Sequence, residues 1–474
     1  MTSGETTLEL IRIFVLLVGA AAIGTLLARR FRLPYTVALV AFGLIAGVFA
    51  QGLSVQITPE LVLVVLLPAL IFEASYQTDF TKLRPALWGV FLLAGPGVLI
   101  SAGVIAAALH FGAGFEVGQA FVVGAMLSAT DPAAVIATFK RLGSPKRLST
   151  LVEAESVFND GTGIVAFAIA VAYVTRPVGP LEIGFTFISV ALISTALGAA
   201  AGYAASRIFP TVGDHLIEIS LSVVLAYGTY LAADALHQSG VIATAVAGIV
   251  LGNYGRKRGL LPKTVEALDT VWEFVAFLAT AFIFLVVGFA IPLHTLASAA
   301  IPIAWAIAAA LVGRAFIIYV LLNAWRESRR WWMILKARRA GLREESEHRV
   351  VKSRAGDQSP LPFDWLHVVF WSGLRGAVST ALALSLPVDF PNREQLQAVT
   401  FGVVLFTLVV QATTADVVVA RWGRKPKDSG AARNARRAAA AASKQLAAGS
   451  RPIAPQADAT GLSADPAQTP RPAP

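Results

Sequence analysis

The sequence predicts an all-α integral membrane protein of about thirteen transmembrane helices built as an inverted repeat, and three observations carry that prediction. Of its 474 residues 56% are hydrophobic, and the mean hydropathy is +0.68, values that exclude an ordinary water-soluble domain. Apolar stretches recur from Glu9 to Ala420, most of them near the roughly 20 residues that cross hydrocarbon, and the alternating ten-residue segments of a barrel do not appear. The 39 Lys and Arg gather in alternate loops: the opposite loops hold only Arg176 and Arg393, while Arg12, Arg314 and Arg375 lie within spans. Such a bias marks the cytoplasmic side.

In order, the spans read as roughly 9–28, 35–50, 58–76, 86–111, 118–139, 147–173, 183–208, 215–236, 239–253, 268–291, 298–322, 363–386 and 395–420. The first reads as a span rather than as a signal peptide, because it is long and ends in Arg29-Arg30-Phe31-Arg32 rather than in a small-residue cleavage site. The charge alternation puts the amino terminus outside and the carboxyl terminus in the cytoplasm, as expected of a multi-pass protein of the cell (plasma or inner) membrane. A net charge of +10 is then mostly an orientation signal, and no nucleic-acid partner is expected, since no folded soluble domain remains to bind one. The absence of cysteine excludes disulfides, thiolate metal sites and cysteine nucleophiles.

Two spans carry interruptions. Thr130-Asp131-Pro132 lies in span 5 and Ser372-Gly373-Leu374-Arg375-Gly376 in span 12. Spans seven apart cross in opposite senses, so spans 1–6 match spans 8–13 as inverted halves. Broken helices at matching positions of two such halves point to a transporter site at the bilayer midplane. Proline removes an amide donor and glycine loosens the helix, so each break frees backbone groups for ions or counter-charges.

The basic cytoplasmic loop 325–362 places Trp325, Trp331 and Trp332 among Arg and Lys, which suits a short interfacial helix on an anionic leaflet. Residues 422–474 are rich in Ala, Arg, Pro and Ser, and read as a disordered cytoplasmic tail beyond the membrane domain of residues 1–421.

Carboxylates inside apolar spans are the candidate functional groups, since an intramembrane charge costs at least about 2.5 to 3.5 kcal/mol and persists mainly on an ion path. In span 6, Ser156 and Asp160 share one helix face, and Glu155 and Asn159 form a second pair about 100° away. One face offers oxygens to a hard cation, and the other takes a salt bridge and a hydrogen bond. Asp131 before Pro132 also has the pattern of a helix cap, and Asp160 that of a carboxylate paired with arginine. Arg314 and Arg375 read as counter-charges, with Glu155 the favoured partner of Arg314 and Arg375 offsetting the carbonyl ends at the break.

Glu73, after Pro68 at the inner end of span 3, either reaches the interface or approaches the cavity. Glu153 is expected to line the entry funnel, and Glu218, Asp234, Asp269 and Glu273 to be interfacial or inter-bundle charges. The six histidines form no metal spacing.

Together these residues resemble the monovalent cation:proton antiporter-1 family of sodium/proton exchangers, over about residues 10–420. The resemblance is carried by Ala129-Thr130-Asp131-Pro132, Glu155-Ser156-Val157-Phe158-Asn159-Asp160-Gly161, Leu225-Ala226-Tyr227, Ser239-Gly240-Val241-Ile242-Ala243 and Gly373-Leu374-Arg375-Gly376-Ala377, in that order. It implies thirteen helices in a homodimer, with a mobile core bundle (spans 4–6 and 11–13) carrying the ion past a dimer domain (spans 1–3 and 8–10). It also implies cation and proton binding at Asp131, Asp160, Ser156 and the Thr130 backbone oxygen, with a water-bridged contribution from Glu73. Glu155 with Arg314 or Arg375 is the implied stabilising pair, and Asn159 fills the place that accompanies electroneutral exchange. One departure is Thr280-Ala281 in span 10, where the family often has Asn-Ser.

The expected activity is therefore exchange of sodium, with lithium as a second candidate, for a proton. Burial favours the neutral form of a carboxyl, so near neutral pH such a group can exchange a proton for a cation. This needs no cofactor and no covalent chemistry. The alternatives are a potassium/proton exchanger and, from other classes, a cation channel or an intramembrane aspartyl protease. The last typically needs a Gly-x-Gly-Asp context that neither Asp131 nor Asp160 has.

Overall fold

Hydrocarbon offers a backbone no hydrogen-bond partners, so each span must satisfy its own amides and carbonyls. In the computed structural model, every regular element among the described residues is accordingly helical. The structure describes residues 18–28, 35–49, 61–83, 87–175, 179–258, 260–290, 293–339 and 361–423, with the isolated residues Val15 and Arg30. The carboxyl-terminal tail, most of the loop 325–362 and the outer part of span 1 lie outside them.

The helices used below are α1 (Val18–Ala28), α2 (Tyr35–Phe49), α3 (Leu61–Gln77), α4 (Leu87–Ala113), α5 (Val117–Met126), α6 (Ala133–Leu142) and α7 (Lys146–Thr175). They continue as α8 (Pro180–Ile208), α9 (His215–Ala235), α10 (Gly240–Val250), α11 (Pro262–Ala290), α12 (Ala300–Arg329), α13 (Phe363–Trp371), α14 (Ala377–Leu384) and α15 (Arg393–Trp422). Among the described residues, seven helices are long and apolar enough to cross a membrane by themselves. The expected interruptions are present, since α5 and α6 divide span 5 and α13 and α14 divide span 12.

Two boundaries differ from the hydropathy reading. α11 begins at Pro262 rather than near residue 268, because Pro at a helix start loses only an amide that would have had no partner there. The interfacial helix expected after Trp325 is continuous with span 11, and the helical path runs unbroken to Arg339. No Pro or Gly intervenes from Ala315 to Arg339, and Trp331 and Trp332 remain exposed, as suits side chains that prefer a membrane interface.

Packing falls into two sets. α4, α5, α7, α12, α14 and α15 form one group and α2, α3, α8, α9, α10 and α11 the other, and the two meet where α7 packs on α8 and α10 and where α11 packs on α14. Apolar solvation does not drive helices together in lipid, so small residues that let backbones approach matter more. The α2–α11 contact shows this. A β-carbon on Gly43 would strike the Leu285 carbonyl, and one on Gly288 the Val40 carbonyl.

Candidate functional site

The two interrupted helices meet at their interruptions. α5 stops at Met126 and the chain resumes as α6 at Ala133; α13 stops at Trp371 and α14 begins at Ala377. Between them the extended linkers touch, and the Asp131 amide donates to the Leu374 carbonyl at 2.9 Å.

The Asp131 carboxylate lies at the start of both restarted helices. Its Oδ1 accepts from the Ala133 amide at 3.0 Å, and its Oδ2 from the Ala377 amide at 3.3 Å. One negative charge thus faces the positive ends of two helices. Asp131 does cap, as its position before Pro132 suggested, yet capping leaves it free to bind. Each carboxylate oxygen has two lone-pair directions, and the amides take one apiece. Gly376 is required by this approach, since any β-carbon there would run into the Asp131 carboxylate.

α7 brackets the first break. The Ser156 hydroxyl donates to the Thr130 carbonyl at 2.8 Å, and Asn159 Nδ2 donates to Thr130 Oγ1 at 2.6 Å while its Oδ1 accepts from the Thr130 amide at 3.3 Å. Ser156 and Asn159 therefore serve the same residue, although helical spacing put them on neighbouring faces. A buried break has free amides and carbonyls, and both side chains turn toward them. Asp160 is different. Its buried Oδ1 has no hydrogen-bond partner among the described residues, and its acidic neighbour is Asp131.

Behind the break lies a buried charge cluster. Arg314 reaches Glu155 with both terminal nitrogens, Nη1 to Oε1 and Nη2 to Oε2, the latter at 3.1 Å, and Nη2 also donates to the Val369 carbonyl at 2.7 Å. Glu155 is 1% exposed and Arg314 7%. Of the two arginines, Arg314 is the one that pairs with Glu155. Arg375 Nη1 instead donates to the Gly373 carbonyl at 2.6 Å, offsetting a carbonyl end at the break.

Glu73 stands apart from this group. It accepts from Gln77 Nε2 at 2.7 Å, and the charged side chains around it are Glu273, Lys140, Asp269 and Glu153, not Asp131 or Asp160. Glu153 meanwhile accepts from the Ser149 hydroxyl at 2.6 Å.

Several contributors escaped the sequence reading. Ser379 donates to the Ala129 carbonyl at 3.4 Å, and Thr407 Oγ1 accepts from the Arg375 amide and donates to its carbonyl, both at 3.1 Å. Tyr35 bonds to Thr280 within electrostatic reach of Asp131. Thr280 had a signal, as a departure from the family pattern. Ser379, Thr407 and Tyr35 had none, because their roles depend on which helices cross.

Comparisons with known proteins agree with this architecture. A family model described as the transmembrane sodium/hydrogen exchanger matches residues 16–421. The chain is 36% identical over 397 residues to the Na(+)/H(+) antiporter ApNhaP of Aphanothece halophytica, covering 83% of this chain and 70% of that protein. It is 35% identical to the Na(+)/H(+) antiporter NhaH of Halobacillus aidingensis, covering 84% and 94% respectively. The solved sodium proton antiporter MjNhaP1 from Methanocaldococcus jannaschii at pH 8 shares the fold, with a TM-score of 0.66 at 21% identity over 88% of this chain and 100% of that one.

Proposed function

The chain belongs to the sodium/hydrogen exchanger family, and from that premise we propose that it exchanges sodium for protons across the membrane by letting the two compete for the Asp131–Asp160 carboxylates. The observation that carries this reading is the buried Asp160 Oδ1, which has no hydrogen-bond partner among the described residues, beside an Asp131 carboxylate fixed at the crossing of two broken helices. Oxygen groups alone suit a hard monovalent cation. Asp131, Asp160, the Ser156 hydroxyl and the Thr130 carbonyl supply them. Protonation removes the charge that holds the cation, and cation binding displaces the proton, so each flow depends on the other.

In this reading Asn159, Glu155, Arg314 and Arg375 hold the break in shape. Glu73, with Glu153, lines the cytoplasmic approach and contributes through water. The protein works as a homodimer in the cell membrane, amino terminus outside and carboxyl terminus in the cytoplasm, and contributes to pH homeostasis. The division of packing described above supports a core that moves as a body against a dimer domain. Alternating access needs such a division.

Purified protein in sealed liposomes with an interior pH dye provides the test. Imposed sodium gradients should drive proton movement, with lithium and potassium as comparison cations, and Asp160→Asn should abolish it while leaving insertion and folding intact. Normal sodium-driven flux in Asp160→Asn would remove Asp160 from the mechanism, and flux driven by potassium alone would replace the sodium reading.

A further inference from the structure

Arg375 is 2% exposed, yet among the described residues no carboxylate pairs with it, and its Nε–H has no partner. Among the described residues its side chain donates to the Gly373 carbonyl. The adjacent pair Glu155–Arg314 is neutral as a unit, so the cluster of Glu155, Arg314 and Arg375 carries one excess positive charge in the low-dielectric core. A buried charge without compensation is costly.

Next to it is a cavity between α12, the α13–α14 break and α15, with room for about one water-sized occupant. Its polar lining is Arg314, Arg375, Thr407 and Gln411, against apolar walls from Ile307 and Phe406. Of these lining residues, Arg314 Nε, Arg375 Nε and Gln411 Oε1 are buried without a hydrogen-bond partner among the described residues, and the Gln411 amide can equally present its nitrogen. Gly373 lets Arg314 approach, since a β-carbon there would come within 2.7 Å of Nε. A second cavity shares Arg314 and Arg375 with the first, and its other polar lining is Ser101, Ser128, Thr130, Glu155 and Asn159.

We propose that the cavity between Arg314, Arg375 and Gln411 is a structural anion site, taking one small monovalent anion of chloride's size. Two arginines are among its lining residues, and the occupant's charge balances Arg375. The anion is not exchanged: it holds the interrupted span 12 in the shape that presents the Ala377 amide to Asp131. This assignment stands on the charge cluster and does not depend on which cation is transported.

The probe is chloride itself, with gluconate as the anion too large to enter. For the purified full chain, replacing gluconate by chloride at constant sodium and ionic strength should raise the thermal midpoint saturably, by on the order of 2 to 4 °C. Crystals soaked in bromide should show an anomalous peak between Arg314 and Arg375. Because Arg375 variants can simply misfold, the second variant is Gln411→Glu, which supplies a negative charge from the chain itself. It should remain folded and lose the chloride effect and the bromide peak together. Equal midpoints in chloride and gluconate, a cavity holding water and no bromide, or an undiminished chloride effect in Gln411→Glu would each overturn the site.

Discussion

Removing Glu155 tests whether the charge cluster supports the broken helices. In Glu155→Ala the Arg314 guanidinium loses both carboxylate contacts and keeps only the Val369 carbonyl at 2.7 Å. Arg314 is only 7% exposed, so most of its guanidinium stays out of water. Breaking a buried pair in this way typically costs about 3 to 5 kcal/mol, because one desolvated charge is left behind. At 1.4 kcal/mol per decade, that is roughly a hundred- to several-thousand-fold shift in the unfolding equilibrium. The assay is thermal or denaturant unfolding of the purified protein, read as a double-mutant cycle. Adding Arg314→Ala should recover part of the loss, since the second change removes the orphaned charge, and coupling between contacting residues typically reaches about 0.5 to 3 kcal/mol. Strictly additive losses would mean that the pair is not a unit. Glu155→Ala without measurable destabilisation would refute the argument from burial altogether.

Three further outcomes follow from the geometry. Asp131→Asn keeps one oxygen where two amides need acceptors, so sodium-driven proton flux should fall severely and stability should drop by about 1 kcal/mol, the usual size of a lost helix cap; unchanged flux in liposomes would exclude Asp131 as a ligand. Gly376→Ala drives a methyl group into the Asp131 carboxylate, so flux should be lost while detergent-solubilised protein stays folded, and retained transport would show that the two breaks separate more easily than they are drawn together here. Exchange should be electroneutral, because Asn159 beside Asp160 is a non-ionisable bracket occupied by Thr130. Moving a net charge through 100 mV is worth about 2.3 kcal/mol, so with the liposome potential clamped, after excluding potassium as a substrate, a sodium null point that moves with voltage would contradict one-for-one exchange.

Membrane class, helical construction and the location of both interruptions were legible in the sequence. Those features depend on local chemistry: apolar length against hydrocarbon thickness, and Pro132, Gly373 and Gly376 where a helix cannot continue unchanged. The sequence also singled out Asp131, Ser156, Glu155, Asn159 and Asp160, since intramembrane polar groups are too costly to be incidental. How they are shared out depends on the packing of the helices. Helical periodicity divided α7 into two faces but could not say that both Ser156 and Asn159 would turn to Thr130, because the demand comes from backbone groups on another helix. The residues favoured Arg314 as the partner of Glu155 and the family resemblance left Arg375 open, and packing brings the Arg314 guanidinium, not that of Arg375, to the carboxylate. Asp131 as the cap of two helix starts, one 246 residues away in the chain, was decided by the crossing of the breaks. A sequence specifies where a helix must open, but which opened groups meet is set by packing between distant segments.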